Sequence, residues 1–326
     1  MLNLRLIATG RAEPSVEVSA KAIDEKLNLK PGESLKWSGV ESRRFSPPEE
    51  TQSQLAARAL SHAMKNAGLS AGSLDLLIAA CGVQEQALPS TACAIGAHAG
   101  LPPGTPAFDI NASCLSFVMA LQLAGSLLNT GTYRRVAVVS ADQPSRGVDW
   151  EIPEASMIFG DGAAAAIVEK GHGQQGIRSF LYKTYVEGRQ YCEIRAGGTR
   201  RNPSSGSVPK DYLFSMNGKQ LLKLALNVMP GFMRELMDQQ GVSQSSVDVV
   251  VPHQASHLGM SHMVKRLGLD PKRIVDIYRT HGNQVAASIP TALHHALESG
   301  RLGPGKRALL IGTAAGVSIG GMVLDL

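Results

Sequence analysis

Aromatic residues are scarce in this chain: 5% of 326 residues, with two Trp, six Tyr and seven Phe. The 32 basic residues fall as scattered pairs such as Arg134-Arg135 and Arg200-Arg201, not as a run interleaved with aromatics. Together these absences exclude a nucleic-acid-binding stripe. Cysteine is scarce as well. The four present, Cys81, Cys93, Cys114 and Cys192, are far apart and form no C-x-x-C pair, so neither a zinc knuckle nor a disulfide framework is expected. No apolar run reaches the roughly 18–20 residues that a membrane span needs. The opening MLNLRLIATGRAEP has too short an apolar part for a secretory signal. The expected address is the cytoplasm, where thiols stay reduced.

What is present is the composition of a globular protein, 44% hydrophobic and 18% charged, with 34 glycines and a net charge of +5. The length exceeds what one core usually fills, which points to two halves. An internal repeat says what those halves are. Gly68–Cys81 reads GLSAGSLDLLIAAC and Gly241–Gln254 reads GVSQSSVDVVVPHQ. Each is a helix end, a Ser-rich turn, and an Asp leading into a buried strand. Downstream, TPAFDI and RIVDI are matching strand candidates. CLSFVMALQLAGSLLNTG and AASIPTALHHALESG follow as matching helices. Arg135-VAVVSAD and Arg307-ALLIGTA then follow as matching strands. Short apolar strands alternating with helices of this length predict an α/β fold with largely parallel central strands. The division falls near GHGQQGIRS, giving halves 1–172 and 173–326. The stretch RAGGTRRNPSSGSVPKD reads as an exposed loop.

Three residues stand where chemistry is expected. Cys114 follows a strand and a turn and opens a strongly apolar helix, where the helix dipole favours a thiolate. His253 emerges just after Pro252, at the carboxyl end of a strand, where open α/β sheets place ligands. Asn283 sits in the turn whose repeat counterpart holds Cys114. In a duplicated fold such turns meet, so the three converge on one pocket. His253 and His257 have an i, i+4 spacing, but no third ligand follows, and no metal is expected. Gly316-Val-Ser-Ile-Gly320 matches the nucleophile elbow of serine hydrolases. The histidine that must follow it is missing, which excludes that class.

The segments NASCLSF, IFGDGAAAAIVE, VPHQAS, HGNQVAASIPTAL and GTAAGVSIGGMVL resemble, in order and over nearly the whole chain, the β-ketoacyl-acyl-carrier-protein synthase III branch of the thiolase-fold condensing enzymes. The resemblance implies a duplicated five-layered αβαβα thiolase fold and a homodimer. It also implies a ping-pong decarboxylative Claisen condensation with no cofactor beyond coenzyme A thioester as substrate. Cys114 would take an acyl group from acyl-CoA or an acyl-carrier protein. The backbone amides of Cys114 and of Ala315 or Gly316 would hold the oxyanion, and His253 and Asn283 would act on malonyl-carrier protein.

The resemblance also implies substrate contacts for Leu88, Arg146 and Ser256, and carrier-protein docking through Lys223, Lys265 and Arg266. The sequence departs from the family at Glu33, Trp37 and Pro153, where its nucleotide clamp usually has Trp, Arg and Arg. Leu258 stands where the docking patch is often basic. Leu88 replaces a phenylalanine that lines the partner subunit's acyl pocket. Glu85 and Arg146 are the polar residues expected near the acyl entrance. These departures point to a specialised member with a different or roomier acyl group. The competing reading is an acyltransferase that passes the Cys114-bound group to an alcohol or amine without decarboxylation. Thiolase chemistry itself needs a second cysteine late in the chain, and none follows Cys192.

Overall fold

The two Asp-led repeats each build the same corner. The helices Gln52–Ala67 and Gly218–Asp238 end in left-handed glycines, Gly68 directly and Gly241 a few residues on. A single 3-10 turn follows in both, then the buried strands Leu76–Ala79 and Val249–Pro252. The aspartates at the two turns, Asp75 and Asp248, accept backbone N–H bonds from Arg135 at 2.9 Å and Arg307 at 2.7 Å, the first residues of the neighbouring strands. Each thereby fixes the parallel register beside it.

The computed structural model describes all 326 residues and arranges them around two five-stranded sheets. Across the first sheet the strands run Arg5–Ala12, Gly162–Glu169, Arg135–Asp142, Leu76–Ala79 and Ala107–Asp109. Across the second they run Leu2–Asn3, Gly176–Thr184, Ser318–Asp325, Arg307–Ala314 and Val249–Pro252. Leu76–Ala79 pairs parallel with both Ala107–Asp109 and Arg135–Asp142, Val249–Pro252 pairs parallel with Arg307–Ala314, and the remaining pairs of the two sheets are antiparallel. The N-terminal Leu2–Asn3 belongs to the second sheet, so the chain enters that sheet before it builds the first.

Nearly continuous apolar strands such as VAVV and ALLI have both faces covered. Val136 and Val138 face a core that also contains Phe117 and Leu121 of helix Ser116–Asn129 and Leu293 of helix Ser288–Glu298. Ala137 and Val139 face a different core, with Leu55 and Leu60 of helix Gln52–Ala67. In the second sheet Leu310 faces the central core, whereas Leu309 and Ile311 face Phe232 and Leu236 of helix Gly218–Asp238. The layers are therefore helix, sheet, helix, sheet, helix: the five-layered thiolase fold.

Two sequence expectations need correction. RIVDI does not form a strand: Ile274 makes one bridge to Val250, and the Asp276 carboxylate then accepts from the Tyr278 amide at 3.0 Å and starts a helical turn. The segment RAGGTRRNPSSGSVPKD is not merely an exposed loop. Ala196 is buried and, with Gly197, forms part of a cavity wall, and Asp211 is buried where it pairs with Arg201 at 2.9 Å.

Candidate active site

The strand Ala107–Asp109 stops, and Asn111-Ala-Ser-Cys turns the chain into the central helix. The Asn111 side chain accepts from the Ser113 amide at 2.9 Å, and the Ser116 hydroxyl accepts from the Ala112 amide at 2.8 Å. Ser113 is held at φ +53°. Cys114 follows this left-handed residue and precedes the first helical residue, Ser116, by two positions. It thus lies just outside the helix terminus, not within its first turn. The amides of Cys114, Ala315 and Gly316 donate to no backbone carbonyl, and that of Cys114 faces only its own sulfur. These are free donors of the kind an oxyanion needs.

His253 follows the strand Val249–Pro252, and Gln254 holds it there. The Gln254 amide nitrogen donates to the carbonyls of Pro252 at 2.8 Å and Val275 at 3.0 Å, and its oxygen accepts from the Ile277 amide at 3.1 Å. Behind the imidazole there is room only for hydrogen at residue 312. A Cβ on Gly312 would come within 2.6 Å of the His253 Cβ. Asn283 is held by the first half of the chain: its amide donates to Ile158 at 2.8 Å, and its carbonyl accepts from Gly160 at 3.2 Å. Its side-chain oxygen accepts from the Val285 amide at 2.9 Å, and Nδ2 donates to the Ala255 carbonyl at 3.2 Å. The first bond fixes the orientation of the amide, and Nδ2 keeps a second hydrogen to donate.

Cys114, His253 and Asn283 line one cavity of about 1160 Å³. Burial pushes the Cys114 thiol up to about 12, against the thiolate expected from its sequence position. Burial pushes His253 down to about 4, so its imidazole is neutral at physiological pH, and Nδ1 is buried without a partner. A neutral imidazole offers one donor and one acceptor. Beside an oriented amide this is a site for stabilising an anion.

The remaining expected residues have varied placements. Ala315 and Ser256 line the cavity, but the Ser256 hydroxyl accepts from the Gly259 amide at 3.0 Å and caps helix His257–Leu267. Arg146 and Glu85 also line it, and both are tied down. Arg146 Nη2 donates to the carbonyls of Pro47, Pro48 and Glu50, and the Glu85 carboxylate accepts from the Ser53 amide at 2.6 Å. Gly316 lies at φ +140°, outside the cavity lining. Leu88 is 85% exposed and lines no part of this chain's cavity. Lys223 and Lys265 are exposed on the helices flanking the cavity, Arg266 reaches its wall, and half-exposed Trp37 stands in it. Glu33 faces away and accepts from the Lys30 amide at 3.0 Å. Ser318, the would-be elbow serine, lies in a strand and bonds Thr184 at 2.9 Å.

Asp142 is the site residue that sequence reading missed. It closes the strand Arg135–Asp142, is buried, and accepts from the amides of Gly82 at 2.9 Å, Val83 at 3.1 Å and Ala286 at 3.1 Å. It therefore joins a turn of the first half to the Asn283 turn of the second. The available signal was an acid at the carboxyl end of an otherwise apolar strand.

A thiol beside free amides, with a neutral imidazole and an oriented carboxamide in the same cavity of a duplicated αβαβα fold, is an arrangement that suits a thiolase-fold condensing enzyme. Residues 108–186 match the family model for 3-oxoacyl-[acyl-carrier-protein] synthase III, and residues 237–326 match the model for its C-terminal part. The chain is 30% identical over 328 residues, all of both chains, to beta-ketoacyl-[acyl-carrier-protein] synthase III of Coxiella burnetii. It superposes on the crystal structure of 3-oxoacyl-[acyl-carrier-protein] synthase III from Aquifex aeolicus with a TM-score of 0.89 at 28% identity, covering 99% of this chain and 100% of that one. The priming beta-ketosynthase of the R1128 polyketide pathway superposes with a TM-score of 0.89 at 27% identity, over 99% and 96% of the two chains. The chain belongs to the β-ketoacyl-acyl-carrier-protein synthase III family and is an acyltransferase of the condensing type.

Proposed function

We propose that the protein joins a Cys114-bound acyl group to a malonyl-type thioester, most simply malonyl-carrier protein, with loss of carbon dioxide. The observation that carries this reading is the pairing of a neutral, buried His253 with an Asn283 amide whose donor end is fixed. Cys114 Sγ attacks the carbonyl carbon of an acyl thioester, and the Cys114 and Ala315 amides hold the oxyanion. The thiol proton leaves with the departing thiol. In the second half-reaction the malonyl C–C bond breaks and carbon dioxide departs. The electron pair passes to the thioester as an enolate, whose oxygen accepts from His253 and Asn283. The enolate carbon then attacks the acyl-S-Cys114 carbonyl, the Cys114–acyl bond breaks, and the sulfur regains a proton. No proton has to be removed from carbon, so a donor pair suffices and no cofactor or metal is required.

The acyl donor is an acyl-CoA or an acyl-carrier protein. Lys223, Lys265 and Arg266 supply positive charge near the cavity for an acidic carrier. We further propose a homodimer. Ala107–Asp109 is an edge strand, and the nearby loop carries exposed Leu88 and Val83, an arrangement that a second copy would cover by extending the sheet. Leu88 would then reach toward the partner subunit's cavity. Similarity both to β-ketoacyl-[acyl-carrier-protein] synthases III and to a priming β-ketosynthase of a polyketide pathway makes starter-unit condensation, in fatty-acid or polyketide synthesis, the reading of choice.

The test is intact mass after incubation with short, long and dicarboxylic acyl-CoAs and acyl-carrier proteins, with Cys114→Ala as control, followed by malonyl-carrier protein. An adduct absent from the variant and discharged with carbon dioxide and a β-ketoacyl product is expected. An adduct that only an alcohol or amine discharges would replace condensation with the alternative acyl transfer.

A further inference from the structure

The cavity does not end at the three polar residues. It continues between helix Gly218–Asp238 and helix His257–Leu267, where Leu222, Ala225, Leu226 and Met229 form one wall and Met260 and Met263 the other. The first set recurs at helical spacing, so these side chains share a face. None carries a polar group. Ala225, Met229 and Met260 are buried.

The one backbone group here that would lack a partner is the Leu226 carbonyl. Its intrahelical donor would be the amide of residue 230, which is proline and has none. Arg266 fills that place: its Nε donates to the Leu226 carbonyl at 3.4 Å. An amide-bearing arm laid along Leu222, Ala225 and Met229 would find no donor or acceptor and would lose its hydrogen bonds to water. A hydrocarbon chain would lose nothing.

Methionine supports the same occupant. Met157, Met216, Met229, Met260 and Met263 all line the cavity, five of the chain's eleven methionines. Unbranched, polarisable thioethers repack around apolar ligands of varying length. The whole cavity, about 1160 Å³, also exceeds the roughly 300–1,000 Å³ of small-molecule sites and is far above what a two-carbon group needs.

We propose that this branch between the two helices holds the hydrocarbon chain of a medium- or long-chain acyl thioester. The proposal rests on the reading that Cys114 is the acyl acceptor. A preference for long chains follows from burial. Each methylene taken out of water gains about 0.8 kcal/mol, so acylation efficiency rises roughly fourfold per added carbon until the branch is full.

The test uses N-acetylcysteamine thioesters from acetyl to dodecanoyl, which need neither coenzyme A nor a carrier, with Cys114 acylation rate read by intact mass. Efficiency climbing from acetyl to at least octanoyl is expected, and Ala225→Trp and Met263→Trp should each lower the decanoyl-to-butyryl ratio at least tenfold. In parallel, binding of non-transferable decanoyl and butyryl amides of cysteamine to Cys114→Ala is measured by calorimetry. A flat or falling chain-length series overturns the proposal. So does an unchanged ratio in both folded tryptophan variants, or an ω-carboxydecanoyl thioester that outruns decanoyl. If no chain acylates Cys114 but the amide series still favours decanoyl and both tryptophan variants abolish that preference, the chain pocket stands and the condensing reading falls.

Discussion

Ser113 and Val285 occupy the same position of the same turn, one in each half of the molecule. Their φ angles are +53° and +52°. Each amide donates to an asparagine two residues earlier, Asn111 or Asn283, at 2.9 Å. Each turn is closed by a serine hydroxyl, Ser116 or Ser288, accepting from an amide four residues back. The asparagine nitrogens correspond too, donating to the carbonyls of Gly82 and Ala255, which follow equivalent strands. Asn283 is therefore the counterpart of Asn111, and Ala286 the counterpart of Cys114. The duplicated turn keeps the same scaffold in both halves and differs in what it presents to the cavity, the Cys114 sulfur in one copy and the Asn283 amide in the other.

The left-handed conformation of Val285 gives a prediction with an inverted sign. At an ordinary position Val→Gly is more destabilising than Val→Ala, because glycine has more freedom to lose on folding. At φ +52° a Cβ is strained by about 1–2 kcal/mol, and only glycine escapes that cost. Val285→Gly should therefore be more stable than Val285→Ala by about 1 kcal/mol, measured by urea unfolding. Equal stability, or the reverse order, would mean that the turn does not hold this residue left-handed.

The sequence made the repeat legible because its landmarks are local: a capping glycine, an aspartate before a strand, a serine-rich turn. Cys114, His253 and Asn283 were legible because each closes or follows such a landmark. Asp142 was not, since its meaning lies in amides of Gly82 and Ala286 that come together only when the halves pack. Arg146, Glu85 and Ser256 read as ligand-facing polar residues, yet their hydrogen bonds go to nearby backbone, a choice that composition does not encode. RIVDI has strand residues but lacks the length to outcompete the Asp276 turn. The acidity of Cys114 was misjudged for a related reason, because the helix dipole is visible in a sequence and the burial that opposes it is not.

That opposition is measurable. With the thiol pushed up to about 12, the thiolate fraction grows tenfold per pH unit throughout the accessible range. Alkylation of Cys114 by iodoacetamide, followed by mass spectrometry with Cys114→Ala as control, should keep rising from pH 7 to pH 10 without levelling. A plateau below pH 8 would show that the free amides and the helix terminus stabilise the thiolate after all.

His253 and Asp142 should impose opposite pH dependences on stability. Burial lowers His253 from 6.5 to about 4, so between these values the folded state lacks a proton that the unfolded state binds. Stability from this group falls as pH drops through that window, by up to about 3 kcal/mol. Burial raises Asp142 from 3.8 to about 7, so the folded state holds an extra proton there, and stability from this group falls as pH rises. Relative to the parent protein, His253→Gln should thus improve as pH goes from 6.5 to 4, and Asp142→Asn should improve as pH goes from 4 to 7. Asp142→Asn should also cost about 1–3 kcal/mol at acid pH, because its nitrogen cannot accept from the amides it faces. Urea unfolding across pH 4–8 decides both, and parallel curves for parent and variants would refute the assignments.

Arg266 has a place in the fold apart from any role in docking, and Pro230 explains it. Proline at position 230 leaves the Leu226 carbonyl without its helical donor, and Arg266 Nε reaches across from the neighbouring helix to supply one. Removing the arginine should strand that carbonyl; restoring an amide at position 230 should make the arginine dispensable. Arg266→Ala in the parent should therefore cost about 1 kcal/mol, a typical hydrogen-bond contribution. In a Pro230→Ala background the same change should cost little, giving a coupling of roughly 0.5–1 kcal/mol in a double-mutant cycle. If the two substitutions are simply additive in urea unfolding, Arg266 does not serve the proline-interrupted helix. If they couple but Arg266→Lys also weakens carrier-protein binding, the residue joins two functions through different atoms. Nε would hold the helix that walls the cavity, and the terminal nitrogens would face the carrier.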